Sequence, residues 1–280
     1  MGSGSYEKVI KKLEELERAS LPESVDLYVR LTRLQLEARA DIEKREARPS
    51  RKEIDERVGL GVRALEFDEL YLDWTKIEAL FRRALMIIGE YTPGVDADVA
   101  VPLRQVVESW YNKQPFQYGG MDEEILVAAV HAAAKPFLAG WAEELLPMIS
   151  QESWRRGFCP VCGGTPNFAY LEPENGARWL CCPRCDAEWL FQRLECPFCG
   201  NSDQKKLAFF SDEKGLYRVY TCEVCRGYLK AVDMRKGLKD ISLPLEWIKT
   251  LDMDRQACER GYQAGMQGKS IDDRGDTQAP

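Results

Sequence analysis

Histidine is nearly missing from this chain: 280 residues contain one, His131. A single histidine rules out a His-Glu-x-x-His zinc site and any paired-histidine relay. His131 lies in Ala128-Ala129-Val130-His131-Ala132-Ala133-Ala134, with no carboxylate motif beside it. It reads as a packed helix histidine rather than a catalytic base. There is no phosphate-binding glycine loop and no Gly-x-Ser-x-Gly elbow, so nothing marks a nucleotide site or a serine hydrolase. No run of about 18 apolar residues is found, so no transmembrane span is expected. Positive charge is not in excess either. The net charge is −7, which argues against a nucleic-acid surface. The acidity sits in the first half. Residues 1–150 carry 20 basic and 27 acidic side chains, and residues 151–280 carry 19 of each. The opening, Met1 to Ser5, is polar and runs into a charged helical pattern, so no signal peptide is read there. The expected location is cytoplasmic, where paired thiols hold metal more often than they form disulfides.

What is abundant is cysteine, and its arrangement. Eight of the ten cysteines form four Cys-x-x-Cys pairs: Cys159/Cys162, Cys182/Cys185, Cys196/Cys199 and Cys222/Cys225. Two cysteines with two residues between them place both sulfurs on one side of a tight turn. Two such turns facing each other make a tetrahedral thiolate cage. Eight thiolates therefore imply two metal ions. With all four positions filled by protein, neither cage offers a place for water or substrate, so each shapes or senses rather than catalyses. Gly163 and Gly200, which follow Cys162 and Cys199, suit the positive-φ turn that aims backbone N–H groups at sulfur.

The gaps of 19 residues between Cys162 and Cys182, and 22 between Cys199 and Cys222, each allow a two-stranded excursion. Sequential pairing then puts Cys159, Cys162, Cys182 and Cys185 on one ion, and Cys196, Cys199, Cys222 and Cys225 on the other. Interleaved pairing, first knuckle with third and second with fourth, stays open. So does the metal, because a cage of four sulfurs suits zinc and a single iron equally. Cys181 and Cys258 are left over and read as small buried hydrophobes. Cys181 should face away from Cys182, its strand neighbour. Trp179, Trp189, Tyr217, Tyr220 and Tyr228 supply the cover that a small metal ribbon lacks.

The periodicity divides the chain. Residues 1–153 read as a helical domain. Its segments are Tyr6–Ala19, a helix started near Pro22 and running to Ala47, another begun at Pro49-Ser50, then Asp68–Ile88, Val99–Trp110, Glu123–Ala134 and Phe137–Ile149. Residues 154–193 and 194–240 read as two metal ribbons of four cysteines each. Their strands are expected at Asn167–Leu171, Ala177–Cys181, Leu207–Ser211, Tyr217–Thr221 and Tyr228–Val232. Residues 241–267 form a C-terminal helical segment, Leu245–Asp252 and Asp254–Gln267, and residues 268–280 a disordered tail. The fold class is α+β: an N-terminal helical bundle followed by two small rubredoxin-like or zinc-ribbon-like modules.

The knuckle series, with Cys159-Pro-Val-Cys-Gly and Cys196-Pro-Phe-Cys-Gly as its first and third members and Trp189 four residues after Cys185, resembles the FdhE family of formate dehydrogenase accessory proteins. The specific resemblance covers Cys159–Asp233. It implies a cytoplasmic, non-catalytic, chaperone-like protein needed to make active formate dehydrogenase, a molybdenum or tungsten enzyme. The implied partner is that enzyme's catalytic subunit, and the implied metal is rubredoxin-like iron at all eight motif cysteines. A rubredoxin-like electron carrier and a zinc-ribbon nucleic-acid adaptor are the alternative functions.

Overall fold

The chain begins with two helices, α1 (Ser3–Glu17) and α2 (Glu23–Ala40), packed along each other. The computed structural model describes residues 3–18, 21–42, 49–115, 118, 120–237 and 241–265. The expected continuation of the second helix to Ala47 and the tail from Gly268 lie outside these residues. Ser50 starts α3 (Arg51–Leu60): its Oγ accepts from the Glu53 N–H while the Glu53 carboxylate accepts from the Ser50 N–H. This reciprocal cap stabilises the first turn by about 1 kcal/mol.

The next helix starts later than expected. Phe67–Glu69 is a short 3₁₀ turn, and α4 runs from Trp74 to Gly89. The Asp73 carboxylate accepts from the Lys76 N–H, fixing the start at Trp74 instead of Asp68. Likewise α5 (Leu103–Tyr111) begins after Pro102, not at Val99. The two helices expected on either side of Pro136 are one, α6 (Glu123–Leu145). An interior proline costs about 3 kcal/mol. The helix survives because Ala129, Ala133, Phe137 and Trp141 are buried on both sides of the interruption and pack on α2 and α4. Glu123–Met148 has the length and apolarity of a spanning helix, yet 67% of its most apolar window is buried inside the protein.

Beyond α6 come β1 (Phe168–Leu171), β2 (Arg178–Cys181), β3 (Glu188–Phe191), β4 (Leu207–Ser211), β5 (Tyr217–Cys222) and β6 (Gly227–Asp233). Strand β3 has no counterpart in the sequence reading. The C-terminal helices are α7 (Leu243–Lys249) and α8 (Leu251–Glu259), followed by the short β7 (Gln263–Ala264). The helix expected over Asp254–Gln267 ends at Glu259, and Gln263–Ala264 is instead a strand pairing with Gly227 and Tyr228 of β6; Gln267 lies outside the described residues.

Both cysteine-rich segments build one sheet, in the order β3-β2-β1-β6-β5-β4. Within each segment the neighbours are antiparallel. The junction is a parallel pairing of β1 with β6, in the register Phe168↔Lys230 to Leu171↔Asp233. The sheet is covered on both faces except at its edge strand β4, whose Ala208, Phe209 and Ser211 are exposed. On one, Ala169, Leu180, Trp189, Leu229 and Ala231 merge with the core of the helical bundle. On the other, Phe168, Cys181 and Val232 meet Leu243 and Trp247 of α7, and Val219 and Tyr228 meet Met253 and Ala257 of α8. The α7 side chains Leu245 and Ile248 also join Val9, Leu13, Val29 and Leu36 of α1 and α2.

Candidate metal centres

All four Cys-x-x-Cys turns share one backbone design. The N–H of the residue after the second cysteine (Gly163, Asp186, Gly200 and Arg226) donates to the carbonyl of the first cysteine at 2.9–3.0 Å. In the first three, the N–H of that first cysteine donates to a carbonyl five residues on, at 2.8–2.9 Å. The residue after the second cysteine has positive φ every time: 71° at Gly163, 57° at Asp186, 72° at Gly200 and 58° at Arg226. Only two are glycines. At the other two, side-chain contacts offset a left-handed conformation that costs roughly 1–2 kcal/mol. Asp186 pairs with Lys135 of α6 at 2.8 Å. Arg226 donates to the carbonyls of Arg260 and Gly261 and stacks over Tyr262 at 4.1 Å.

Paired turns bring the sulfurs together. Cys159, Cys162, Cys182 and Cys185 form one cluster, and Cys196, Cys199, Cys222 and Cys225 the other, with all Sγ atoms of a cluster within 4.8 Å of one another. Cys159–Cys185 and Cys162–Cys182 are 3.5 Å apart, Cys196–Cys225 is 3.6 Å and Cys199–Cys222 is 3.7 Å. A disulfide needs about 2.05 Å. A tetrahedral cage with metal–sulfur distances of about 2.3 Å has edges of about 3.8 Å. The separations therefore fit a metal tetrahedron and not a disulfide. The grouping is the sequential one; interleaved pairing is not what the structure forms.

The two clusters differ in setting. All four sulfurs of the first are buried, whereas Cys199 and Cys225 of the second are half-exposed. The first lies between α5, α6 and the loop after α3. There the N–H groups of Ala64 and Leu65 donate to the carbonyls of Pro160 and Val161 inside the first knuckle. Arg184, inside the second knuckle, donates to the carbonyls of Trp110 and Tyr111 at 2.8 and 3.0 Å. Its guanidinium lies 4.4 Å from the Trp110 ring centroid. His131 Nε2 sits 2.8 Å from the Pro183 carbonyl oxygen. Burial, with Lys135 adding to it, pushes its pKa down to about 4. The ring is therefore neutral, with Nε2–H as donor, and clasps the knuckle as a packed helix histidine.

Three cations surround this cluster: Arg63, Lys113 and Arg184. Burial lowers the Lys113 pKa, with the Arg184 charge acting in the same direction and Cys162 and Cys182 opposing. These groups would offset the negative charge that four thiolates concentrate around a bound divalent ion. Burial drives the Cys159 and Cys185 thiols well up. Cys162 is held well down against burial by its three thiol neighbours and Arg184. In the second cluster Cys225 is lowered to about 5, chiefly by Cys196, with the Gly227 N–H also contributing. That N–H lies 3.4 Å from the Cys225 sulfur.

The cations were not legible in the sequence. Arg63, Lys113 and Arg184 are far apart in the chain, and Arg63 and Lys113 lie outside the cysteine segments. Gly164 was missed as well, although the Gly163-Gly164 step signals it: a Cβ there would lie 2.7 Å from the Cys182 sulfur. Cys181 faces away from the cluster and is buried, as expected. Cys258 corrects the reading, because it is exposed. Met253 and Ala257 take the inward face of α8, and the next residue turns outward by about 100°.

A family model described as "FdhE, central domain" matches residues 158–193, which contain the first cluster. A Protein FdhE homolog of Aquifex aeolicus is 29% identical over 221 residues, 75% of this chain and 74% of the relative. One of Shewanella sp. strain MR-4 is 28% identical over 191 residues, 64% of this chain and 62% of the relative. The match to that second relative thus spans less than two thirds of its length. One of Pseudomonas aeruginosa is 32% identical over 149 residues, 47% of each chain. The fold matches the crystal structure of the FdhE protein from Pseudomonas aeruginosa with a TM-score of 0.61 and 21% identity, covering 94% of this chain and 93% of that one. The four knuckles and these matches make the chain similar in sequence to FdhE homologues, and its fold is that of the FdhE protein.

Proposed function

We propose that this chain is a metal-stabilised accessory protein that binds the catalytic subunit of formate dehydrogenase and supports its maturation. The observation that carries the reading is the pair of closed four-sulfur clusters, built into one sheet, in a chain similar to FdhE homologues. In this reading Cys159, Cys162, Cys182 and Cys185 hold one ion, and Cys196, Cys199, Cys222 and Cys225 a second, iron or zinc. Zinc would be a redox-inert staple, and iron would add a one-electron couple. Four protein sulfurs leave no position for substrate, so the clusters serve to fix surfaces. The buried first cluster locks the helical half to the sheet through Arg184, His131 and the Ala64-Leu65 hydrogen bonds. The second, near the far edge of the sheet, orients β4, β5 and the loop before them.

Deleting the gene should abolish or sharply lower formate oxidation while the catalytic subunit is still synthesised. Purified protein should capture that subunit in a pull-down and should not oxidise formate alone. Normal formate dehydrogenase activity in the deletion strain, together with no capture of the subunit, overturns the reading. The half-exposure of Cys199 and Cys225 favours a second reading, an electron carrier of rubredoxin type. Reversible redox turnover with a physiological donor distinguishes it.

A further inference from the structure

A cavity of about 270 Å³ opens on the sheet beside the second cluster. Strand register places Leu171, Arg178, Arg218, Tyr220, Leu229 and Phe209 on this one face. Leu171, Leu229 and Phe198, the last inside the third knuckle, line the cavity. Two large apolar side chains at its mouth face solvent: Leu194 is 59% exposed and Phe209 is 54% exposed. A mouth of this kind gains by being covered.

The charge in the cavity is one-sided. Arg178, Arg193 and Arg218 line it, against Glu195 as the single acidic lining residue. Arg218 has a partner in Asp233 at 2.7 Å. Arg178 is only 3% exposed, and its Nη2 donates to the carbonyls of Gln192 and Glu195. Among the described residues, no carboxylate lies within ion-pair distance of Arg178. The Nε atoms of Arg178 and Arg218 are both buried without a hydrogen-bond partner. A buried guanidinium with an unused donor is costly to keep. It becomes favourable when a carboxylate is brought to it, because a charge-assisted hydrogen bond is stronger than a neutral one.

Backbone groups are on offer at the same place. Strand β4 ends the sheet, and among the described residues nothing pairs with its outer side. The opposite edge, β3, is partly satisfied, since the Leu190 N–H donates to the Gln151 side chain at 3.0 Å. Leu207, Ala208 and Phe209 of β4 line the cavity. An extended chain laid along β4 would add a strand and drop alternate side chains toward it.

We propose that the cavity and the free edge of β4 together form a docking site for an extended peptide segment of a partner protein, one carrying a carboxylate side chain beside apolar ones. This rests on the reading of the chain as a client-binding protein and identifies where the client segment would sit. Its test uses no formate dehydrogenase, so a failure here and a failure of subunit capture are separate results.

The probe is a fluorescein-labelled peptide, Ser-Val-Leu-Asp-Leu-Val-Thr, titrated against the full, metal-replete chain by anisotropy, with an Asn-for-Asp peptide as control. The Asp peptide should bind at least tenfold more tightly than the Asn peptide. Its binding should slow hydrogen exchange in β4, residues 207–211. Arg178→Met should erase the difference between the two peptides. Phe209→Asp changes an exposed residue, keeps the fold and both ions, and should weaken the Asp peptide at least tenfold, which guards against Arg178→Met failing to fold. Equal affinity for the two peptides overturns the proposal. So does binding that Phe209→Asp leaves unchanged and that gives no protection in β4. A synthetic peptide of residues 266–280 is the remaining arm. If it binds here and the probe does not, the occupant is the chain's own C-terminal segment and the proposal fails.

Discussion

Single atoms decide what the knuckles tolerate. At Gly164 a Cβ would stand 2.7 Å from the Cys182 sulfur and 3.2 Å from that of Cys162. Gly164→Ala should therefore lose the ion of the first cluster while leaving the second occupied, although no ligand has changed. Elemental analysis of purified protein checks this against an expected fall from two ions to one. Another residue-scale contrast lies under α8. Lys230, 1% exposed, contacts Asp254 at 2.5 Å, and Asp254 keeps 28% of its side chain exposed. Asp254→Asn strands a buried ammonium and should cost about 3 kcal/mol, whereas Lys230→Met frees a carboxylate that reaches water and should cost about 1 kcal/mol or less. Urea denaturation of the two variants measures the asymmetry. Equal costs would mean that the carbonyls of Trp247 and Thr250 already satisfy Lys230.

Among the elements, α6 does most to hold the first cluster against the helices. His131 and Lys135 lie one turn apart on it and reach the second knuckle, at the Pro183 carbonyl and the Asp186 carboxylate. The 3.6-residue period puts them on one face. His131→Ala removes a part-buried hydrogen bond and the ring contact with Trp110. It should cost about 1–2 kcal/mol and speed loss of the first ion to a chelator, with no effect on the second. Release followed with a metallochromic dye tests this; equal release from both clusters would remove α6 from the account. The element scale is also where the sequence misled. Pro136 reads as a break and is not one, because the stop signal is local and the burial that overrides it is not. Strand β3, Glu188-Trp-Leu-Phe191, has no counterpart in the sequence reading although it is as long as β1 and β2; its place is fixed by pairing with β2.

At the scale of the molecule, the parallel pairing of β1 with β6 makes one body of what the sequence divides into two ribbons. Cys159→Ser and Cys182→Ser should each empty the same cluster, and the double variant should be no less stable than either alone, because the two act on one unit. Cys159→Ser combined with Cys196→Ser should empty both clusters and cost more than either single change. Cys258→Ser, on the exposed side of α8, should leave both ions in place. Metal analysis and chemical denaturation read every one of these variants. Because the knuckles of the first cluster are hydrogen-bonded to the loop after α3, to α5 and to α6, emptying it should also lower the thermal midpoint of the helical signal. Emptying the second should leave that signal closer to wild type. A helical midpoint indifferent to the first cluster would show that the two halves fold independently.

The eight paired cysteines and their two-residue spacing are covalent facts. Thiolate chemistry and turn geometry act within four residues, so the clusters could be read directly, and the same locality made most helices and five of the strands visible. The sequential grouping was favoured for a related reason: each gap is long enough for one hairpin. Tertiary structure decided the rest. Only the folded chain brings Arg63, Lys113 and Arg184 around the first cluster, joins β1 to β6, and covers one cluster while leaving part of the other open. Those outcomes depend on contacts between residues tens to more than a hundred positions apart. They are selected by the burial of a shared core, which leaves no short-range mark in the amino-acid order.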